Sequence, residues 1–152
     1  MVEIERKFLV DTKKWQPFGS GKKIKQGYLS VDPERVVRVR ISGREAFLTI
    51  KGKAEGISRT EMEYKIPLNE AEILLAMCTG FPVEKIRYVE KIENNRWEID
   101  VFEGENRGLV MAEIELEREN QEFVLPAWVE CEVSEDPRYF NAFLSQNPYL
   151  LW

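Results

Sequence analysis

The sequence predicts a mainly β (α+β) chain of antiparallel strands. Three observations carry that reading: apolar and polar residues alternate through most of the 152 residues, the links between alternating segments are short and turn-like, and only two stretches carry helix punctuation. The length suits one domain, 1–152, in which roughly 70% of the surface of the unfolded chain becomes buried.

The elements follow in order. Val2, Ile4 and Phe8 share one face of the first strand, opposite Glu3, Glu5 and Lys7. Residues 24–31 (IKQGYLSV) read as a less regular strand, with Gln26 and Tyr28 pointing the same way. Val37, Val39 and Ile41 oppose Arg38 and Arg40, and Ala46, Leu48 and Ile50 oppose Thr49 and Lys51. Met62, Tyr64 and Ile66 then oppose Arg59, Glu61, Glu63 and Lys65. Asn69 is a good N-cap for a helix over 70–78, with Gly80 and Pro82 to end it. Beyond it, Ile86 and Tyr88 oppose Lys85 and Arg87, and Trp97, Ile99 and Val101 oppose Glu98 and Asp100. Ala112, Ile114 and Leu116 oppose Glu113, Glu115 and Glu117, and Val129, Cys131 and Val133 oppose Glu130 and Glu132. A second helix is predicted over 137–146, with Asp136 as cap and Pro137 at its first position. Turns are expected at Ser42-Gly43, Gly52–Gly56, Asn94-Asn95 and Gly104–Gly108, and a short one through Thr12–Trp15. The count is eight clear strands and an irregular ninth.

Composition excludes several classes of function. The 22 basic and 27 acidic side chains give a net charge of −5, so neither nucleic acid nor an anionic membrane is an expected partner. The chain has no histidine, which removes Ser-His-Asp and Cys-His nucleophiles and imidazole ligation together. Any metal must rest on oxygen, which selects Mg²⁺, Mn²⁺ or Ca²⁺. Cys78 and Cys131 form no C-x-x-C pair and read as buried, inert thiols of a reducing compartment. The N-terminus is charged from Glu3 and no apolar run approaches ~20 residues, so the expectation is a cytoplasmic protein without a signal peptide.

An alternating strand usually turns its charged face to water. Here the charges are sorted by sign. Carboxylates sit two apart at Glu3/Glu5, Glu61/Glu63, Glu98/Asp100, Glu113/Glu115/Glu117 and Glu130/Glu132, and bases at Arg38/Arg40 and Lys85/Arg87. Like charges on one strand face repel, and a solvated surface gains nothing by collecting them. An inward-facing set meeting a metal and a polyanion explains the sorting, because carboxylates suit hard divalent cations and Arg and Lys suit phosphate oxygens. Cross-strand salt bridges between acidic and basic strands explain it equally well. No glycine-rich phosphate loop is present; Gly52-Lys53-Ala54 lacks the required spacing.

The order of the motifs is more specific than their chemistry. Glu3-Ile4-Glu5-Arg6-Lys7 fits E-x-E-x-K. It precedes Gln26-Gly27-Tyr28-Leu29, Arg38-Val39-Arg40, Leu48-Thr49-Ile50-Lys51-Gly52, Arg59-Thr60-Glu61-Met62-Glu63, Lys85-Ile86-Arg87-Tyr88 and Trp97-Glu98-Ile99-Asp100. Glu113-Ile114-Glu115-Leu116, Glu132-Val133 and Asp136-Pro137-Arg138-Tyr139 complete the series. From Glu3 to about Tyr139 the chain resembles the CYTH superfamily, the triphosphate tunnel metalloenzymes.

The resemblance implies a closed eight-stranded antiparallel β-barrel tunnel with a charged interior and a few helices packed outside. It implies a metal-dependent hydrolase that cleaves a terminal phosphoanhydride of tripolyphosphate or of nucleoside triphosphates. Lys7, Arg38, Arg40, Lys51, Lys85 and Arg87 match the phosphate-gripping positions, and Lys53 and Arg59 are further candidates. Glu3, Glu5, Glu61, Glu63, Asp100, Glu113, Glu115 and Glu132 match the acidic set that binds Mg²⁺ or Mn²⁺ or orients water. The catalytic expectation falls on Glu5, Lys7, Arg38, Arg40 and Lys85. Tyr28 either lines the tunnel beside the phosphates or packs with its hydroxyl at the rim. The segment beyond Pro137 resembles the family's closing helix at one end of the tunnel, with Tyr139, Phe140 and Phe143 read as packing against the barrel and the tryptophans as outer core. Class IV adenylate cyclase or thiamine triphosphatase chemistry, and a polyphosphate- or nucleotide-binding module without turnover, are the alternatives; a monomer or homodimer is expected.

Overall fold

The computed structural model describes all residues from Met1 to Trp152. Its strands are β1 (Val2–Val10), β2 (Lys22–Ser30), β3 (Arg35–Ser42), β4 (Glu45–Gly52), β5 (Ser58–Ile66), β6 (Thr79–Ile92), β7 (Asn95–Glu103), β8 (Val110–Glu115) and β9 (Val129–Glu132). Two helices, α1 (Leu68–Ala76) and α2 (Asn141–Gln146), complete the regular elements with three 3₁₀ turns. Neighbours run β5-β4-β3-β2-β6-β7-β8-β1, and β1 also pairs with β5, so eight antiparallel strands close into a barrel.

Closure depends on how β1 divides one edge. Val2, Glu3 and Ile4 pair with Thr60, Arg59 and Ser58 of β5. Further along the same edge β5 has run out and β9 takes over, with Phe8 opposite Glu132 and Val10 opposite Val129. The ninth strand thus covers backbone that the barrel leaves unpaired. Just past it, Val133 N donates to Lys7 O at 2.8 Å and Lys7 N donates to Ser134 Oγ at 2.9 Å.

Directly opposed residues share a face, so the registers fix what points inward. Arg38 lies opposite Thr49, Lys51 opposite Glu61, Arg87 opposite Asp100, and Lys7 opposite Glu113. The charged face therefore looks in and most of the apolar face looks out. Outside, Phe8, Val10, Trp15, Trp97, Ile99, Ala112, Ile114, Leu116 and Trp128 form the largest core cluster. Trp97 sits at its centre, with edge-on or tilted ring contacts to Phe8, Phe123 and Trp128. A second outer cluster lies beneath α1. A third continues the inner wall at one end of the barrel, where Tyr28, Val83, Phe102 and Met111 meet Leu144 of α2.

Several local expectations need correction, though the less regular strand expected over 24–31 is present as β2, whose pairing slips near Tyr28 on both sides. Its pattern is blurred because both faces are covered: a Cβ on Gly27 would lie 2.9 Å from Cys78 Sγ, so close does the end of α1 approach. α1 starts after Pro67, Asn69 caps nothing, and the helix ends at Ala76; Gly80 and Pro82 already belong to β6. The second helix is broken. Pro137–Tyr139 is a 3₁₀ turn capped by Asp136, Phe140 is extended, and α2 begins at Asn141. Gly80, at φ 72°, lets α2 settle on β6, since a Cβ there would meet Ser145 O at 2.3 Å. The hairpin between β6 and β7 turns at Glu93-Asn94, one residue earlier than expected, with Glu93 at φ 55°. Neither cysteine is buried: Cys78 is half-buried and Cys131, on the outermost strand, is exposed. No helix is long and apolar enough to cross a membrane.

Replacing Trp97 by alanine removes the centre of the outer cluster. It should cost about 3–5 kcal/mol of unfolding free energy in denaturant titrations, with the slope against denaturant unchanged.

Candidate active site

The inward-facing side chains surround a cavity of about 570 Å³. Lys7 from β1, Arg38 and Arg40 from β3, Lys51 from β4, Arg59 from β5, and Lys85 and Arg87 from β6 supply its positive charge, with Lys53 on the loop after β4. Glu3 and Glu5 from β1, Glu61 and Glu63 from β5, Glu98 from β7, and Glu113 and Glu115 from β8 supply its negative charge. Tyr28 is part of the wall, and so are Phe140, Asn141 and Phe143 of the C-terminal segment.

Two of the predicted acids do not line this cavity. Glu132 lies opposite Phe8 on the outer face, where it accepts from the Arg6 guanidinium and from Ser134 Oγ. Asp100 points inward but is consumed by two cations. Lys85 Nζ lies 2.7 Å from Asp100 Oδ2, while Arg87 donates from Nε to Oδ1 at 2.8 Å and from a terminal nitrogen to Oδ2 at 2.9 Å. Burial alone would raise the Asp100 carboxyl; Lys85 and Arg87 outweigh it and hold the group well below the carboxylate range. Burial pushes Lys85 down to about 7 even with Asp100 beside it. Arg87 is buried too, but Asp100 more than offsets that and holds its charge firmly.

The other cations are compensated unevenly. Lys51 pairs with Glu3 at 2.8 Å and Lys7 with Glu113 at 3.5 Å. Arg38 donates to Thr49 Oγ1 at 3.1 Å and to Glu63 at 3.4 Å, yet its Nε is buried with no partner. Arg40 forms no ion pair; its Nε donates to Gln26 Oε1 at 2.8 Å. Burial, followed by its neighbours Arg38 and Arg87, pushes its guanidinium down to about 9. On the acidic side, burial and then the charges of Glu113 and Glu3 push Glu5 up to about 8. Burial also raises Glu3, which shares a hydrogen bond with Glu61, and Glu115, which feels Glu3 and Glu98. One part of the wall thus holds donors without acceptors, and another holds carboxyl groups that burial and neighbouring carboxyl groups push up. No three acids converge into a ready-made ion cage. A divalent ion bound here would need oxygens from a ligand to complete its shell, as Mg²⁺ commonly does at phosphate sites.

Four wall residues carried no functional expectation in the sequence or a weak one. Gln26 and Thr49 alternate with chemistry-bearing neighbours, which is a signal, but amides and hydroxyls on strands rarely stand out. Glu98 pairs with Arg87 at 3.2 Å and Arg96 at 3.2 Å. Asn141 had no signal at all, because a C-terminal turn far along the chain delivers it to Lys85, at 3.1 Å.

A family model for the CYTH domain matches residues 1–140. Among curated proteins, the chain is 47% identical over 148 residues to an inorganic triphosphatase of Acetivibrio thermocellus, covering 97% of this chain and 95% of that one. It is 39% identical over 153 residues to an inorganic triphosphatase of Nitrosomonas europaea, covering 95% and 97%. A crystal structure of an inorganic triphosphatase superposes with a TM-score of 0.67 at 37% identity, over 94% of this chain and 93% of that chain. A Pyrococcus horikoshii protein with a TM-score of 0.57 and 20% identity, over 78% and 80%, shares the fold. The closed barrel, its sign-sorted interior and the match over residues 1–140 agree: the chain belongs to the CYTH domain family.

Proposed function

We propose that the protein hydrolyses a terminal phosphoanhydride of inorganic tripolyphosphate, with nucleoside triphosphates as further substrates, in a reaction that depends on Mg²⁺ or Mn²⁺. The observation that carries this reading is the opposition of unsatisfied groups inside one cavity: Arg38 Nε without an acceptor and Arg40 without a carboxylate, against a Glu5 pushed up to about 8. A polyanion together with a divalent cation satisfies both sides, and neither does so alone. The names of the curated relatives, inorganic triphosphatases at 47% and 39% identity, support the choice of substrate.

In this reading the cations act by position and charge. Lys7, Arg38, Arg40, Lys51, Lys85 and Arg87 reach into the cavity from four strands, with Arg59 and Lys53 toward its mouth, and hold successive phosphate groups. Water attacks the terminal phosphorus, the bridging P–O bond on the far side breaks, and the products are orthophosphate and pyrophosphate. Negative charge builds on the bridging oxygen as it leaves, where fixed Arg and Lys charges in a site shielded from water stabilise it most. Glu3, Glu5 and Glu115, with Glu61, Glu63 and Glu113 beside them, are the groups that would hold the divalent ion, which supplies neutralising charge to the phosphate oxygens and lowers the pKa of water. Asp100 serves the cations, fixing Lys85 and Arg87, and Tyr28 lines the wall.

Phosphate release should be measured from tripolyphosphate, ATP and pyrophosphate, each with Mg²⁺, Mn²⁺ or chelator. Metal-dependent release from tripolyphosphate is expected, and Arg38→Ala and Glu5→Gln should each lower kcat/KM by at least about 100-fold. Metal-dependent binding without turnover would overturn the reading in favour of a binding module, and cyclic AMP formed from ATP would replace it with cyclase chemistry.

A second expectation concerns stability without metal. Glu5 has a folded value of about 8 against an ordinary 4.5, so between those values the folded protein binds the extra proton. Stability must therefore fall as pH rises through that window. Glu5→Gln removes the group that ionises. In chelator its melting temperature should exceed that of the unaltered protein by a margin that widens from pH 5 to pH 8, reaching about 5 °C or more. A margin that does not change with pH would show that Glu5 is already ionised in the folded state.

A further inference from the structure

We propose that the side-chain amides of Gln26 and Asn141 are positioning residues, a neutral bracket that aims Arg40 and Lys85 into the cavity without cancelling the charge of Arg40. The proposal rests on the triphosphate reading above and adds to it the groups that set how tightly the polyanion is held.

Gln26 is completely buried on the inner wall of β2, between β3 and β6. Both ends of its amide are used. Oε1 accepts from Arg40 Nε at 2.8 Å, and Nε2 donates to Tyr28 Oη at 2.9 Å and to Asn141 Oδ1 at 3.4 Å. Asn141 Oδ1 in turn accepts from Lys85 Nζ at 3.1 Å. The chain Arg40–Gln26–Asn141–Lys85 thus ties three barrel strands to the first residue of α2.

The contrast with the rest of the wall gives this arrangement its meaning. Lys7, Arg38, Lys51, Lys85 and Arg87 each lean on a carboxylate. Arg59, half-buried, rests its Nε on the Gly52 carbonyl. Arg40 lies deep enough for burial to lower its guanidinium to about 9, yet only a neutral amide holds it. A glutamate at position 26 has the same reach, presents the same acceptor, and adds the counter-charge that Arg40 lacks. The added charge costs the two donations of Nε2, to Tyr28 Oη and Asn141 Oδ1, and sets a carboxylate oxygen against the Asn141 oxygen. What the amide preserves is a fixed orientation at Nε with both terminal nitrogens of Arg40 fully charged and uncommitted, the geometry a phosphate takes in two-pronged fashion. Asn141 does the same for Lys85, adding an acceptor without a second counter-charge beside Asp100.

The test is steady-state phosphate release from tripolyphosphate with Mg²⁺ by the unaltered protein, Gln26→Glu and Asn141→Asp, with melting temperatures alongside. Gln26→Glu should raise KM at least tenfold and leave kcat within about threefold, the signature of lost uniform binding, with its melting temperature confirming that it is folded. Asn141→Asp should keep its melting temperature and raise KM at least threefold. If both variants match the unaltered protein within twofold in KM, the amides merely pack and the proposal is overturned. If Gln26→Glu does not fold, Asn141→Asp decides alone, and an unchanged KM there overturns the proposal. No release by the unaltered protein would instead defeat the triphosphate reading, so the two failures are distinct.

Discussion

Closing eight strands into a barrel turns every second side chain inward, and in this chain more than a dozen of those side chains are charged. Taking ions out of water costs several kcal/mol each unless partners return the loss, so the interior has to be wired as a whole. The Asp100 carboxylate between Lys85 and Arg87 is the clearest instance. Its oxygens take at least three contacts of 2.7–2.9 Å, and without it two buried cations would stand side by side on the inner face of β6. Such pairs fix positions more than they stabilise.

Stability therefore comes from elsewhere. The barrel wears its main core on the outside, where Trp97, Phe8, Trp128 and their neighbours are covered by the segments around Trp15 and Phe123, and where α1 covers β2, β3 and β4. This division of labour frees the charged part of the inner wall from packing duty, which falls inside only to the apolar cluster at Leu144. It also explains the close approaches at Gly27 and Gly80, where α1 and α2 are seated so tightly that a methyl group would collide.

The compensation inside is deliberately incomplete in the physical sense that matters for binding. Groups with partners set the frame, whereas Arg38 Nε has no acceptor, Arg40 has no carboxylate and Glu5 is pushed up to about 8. The C-terminal segment takes part in both. Tyr139 O accepts from Lys7 Nζ at 3.1 Å, Asn141 accepts from Lys85, and Leu144 closes the apolar end of the wall. A turn that looks like an ordinary terminal helix in sequence is thereby part of the cavity.

The sequence by itself determined which faces belong together. A period of two fixes that Arg38 and Arg40, or Glu3 and Glu5, point the same way, and the sorting by sign marks those faces as more than solvated surface. The motif order then pointed to the barrel and to nearly all of the charged residues in the cavity wall. Period two is blind to inside and outside, and it says nothing about which opposite charge a residue meets. Only the registers decided that Asp100 is spent on Lys85 and Arg87, and only the bulged pairing of β9 with β1 put Glu132 outside with Arg6. β2 reads as irregular because both its faces are buried from Gln26 to Tyr28, and the second helix was misjudged because the chain extends at Phe140 before α2 begins. Asn141 lies beyond any local rule: its role depends on a contact with Lys85 across 56 residues, and contacts at that separation are made by closing the fold rather than by the chain's local preferences.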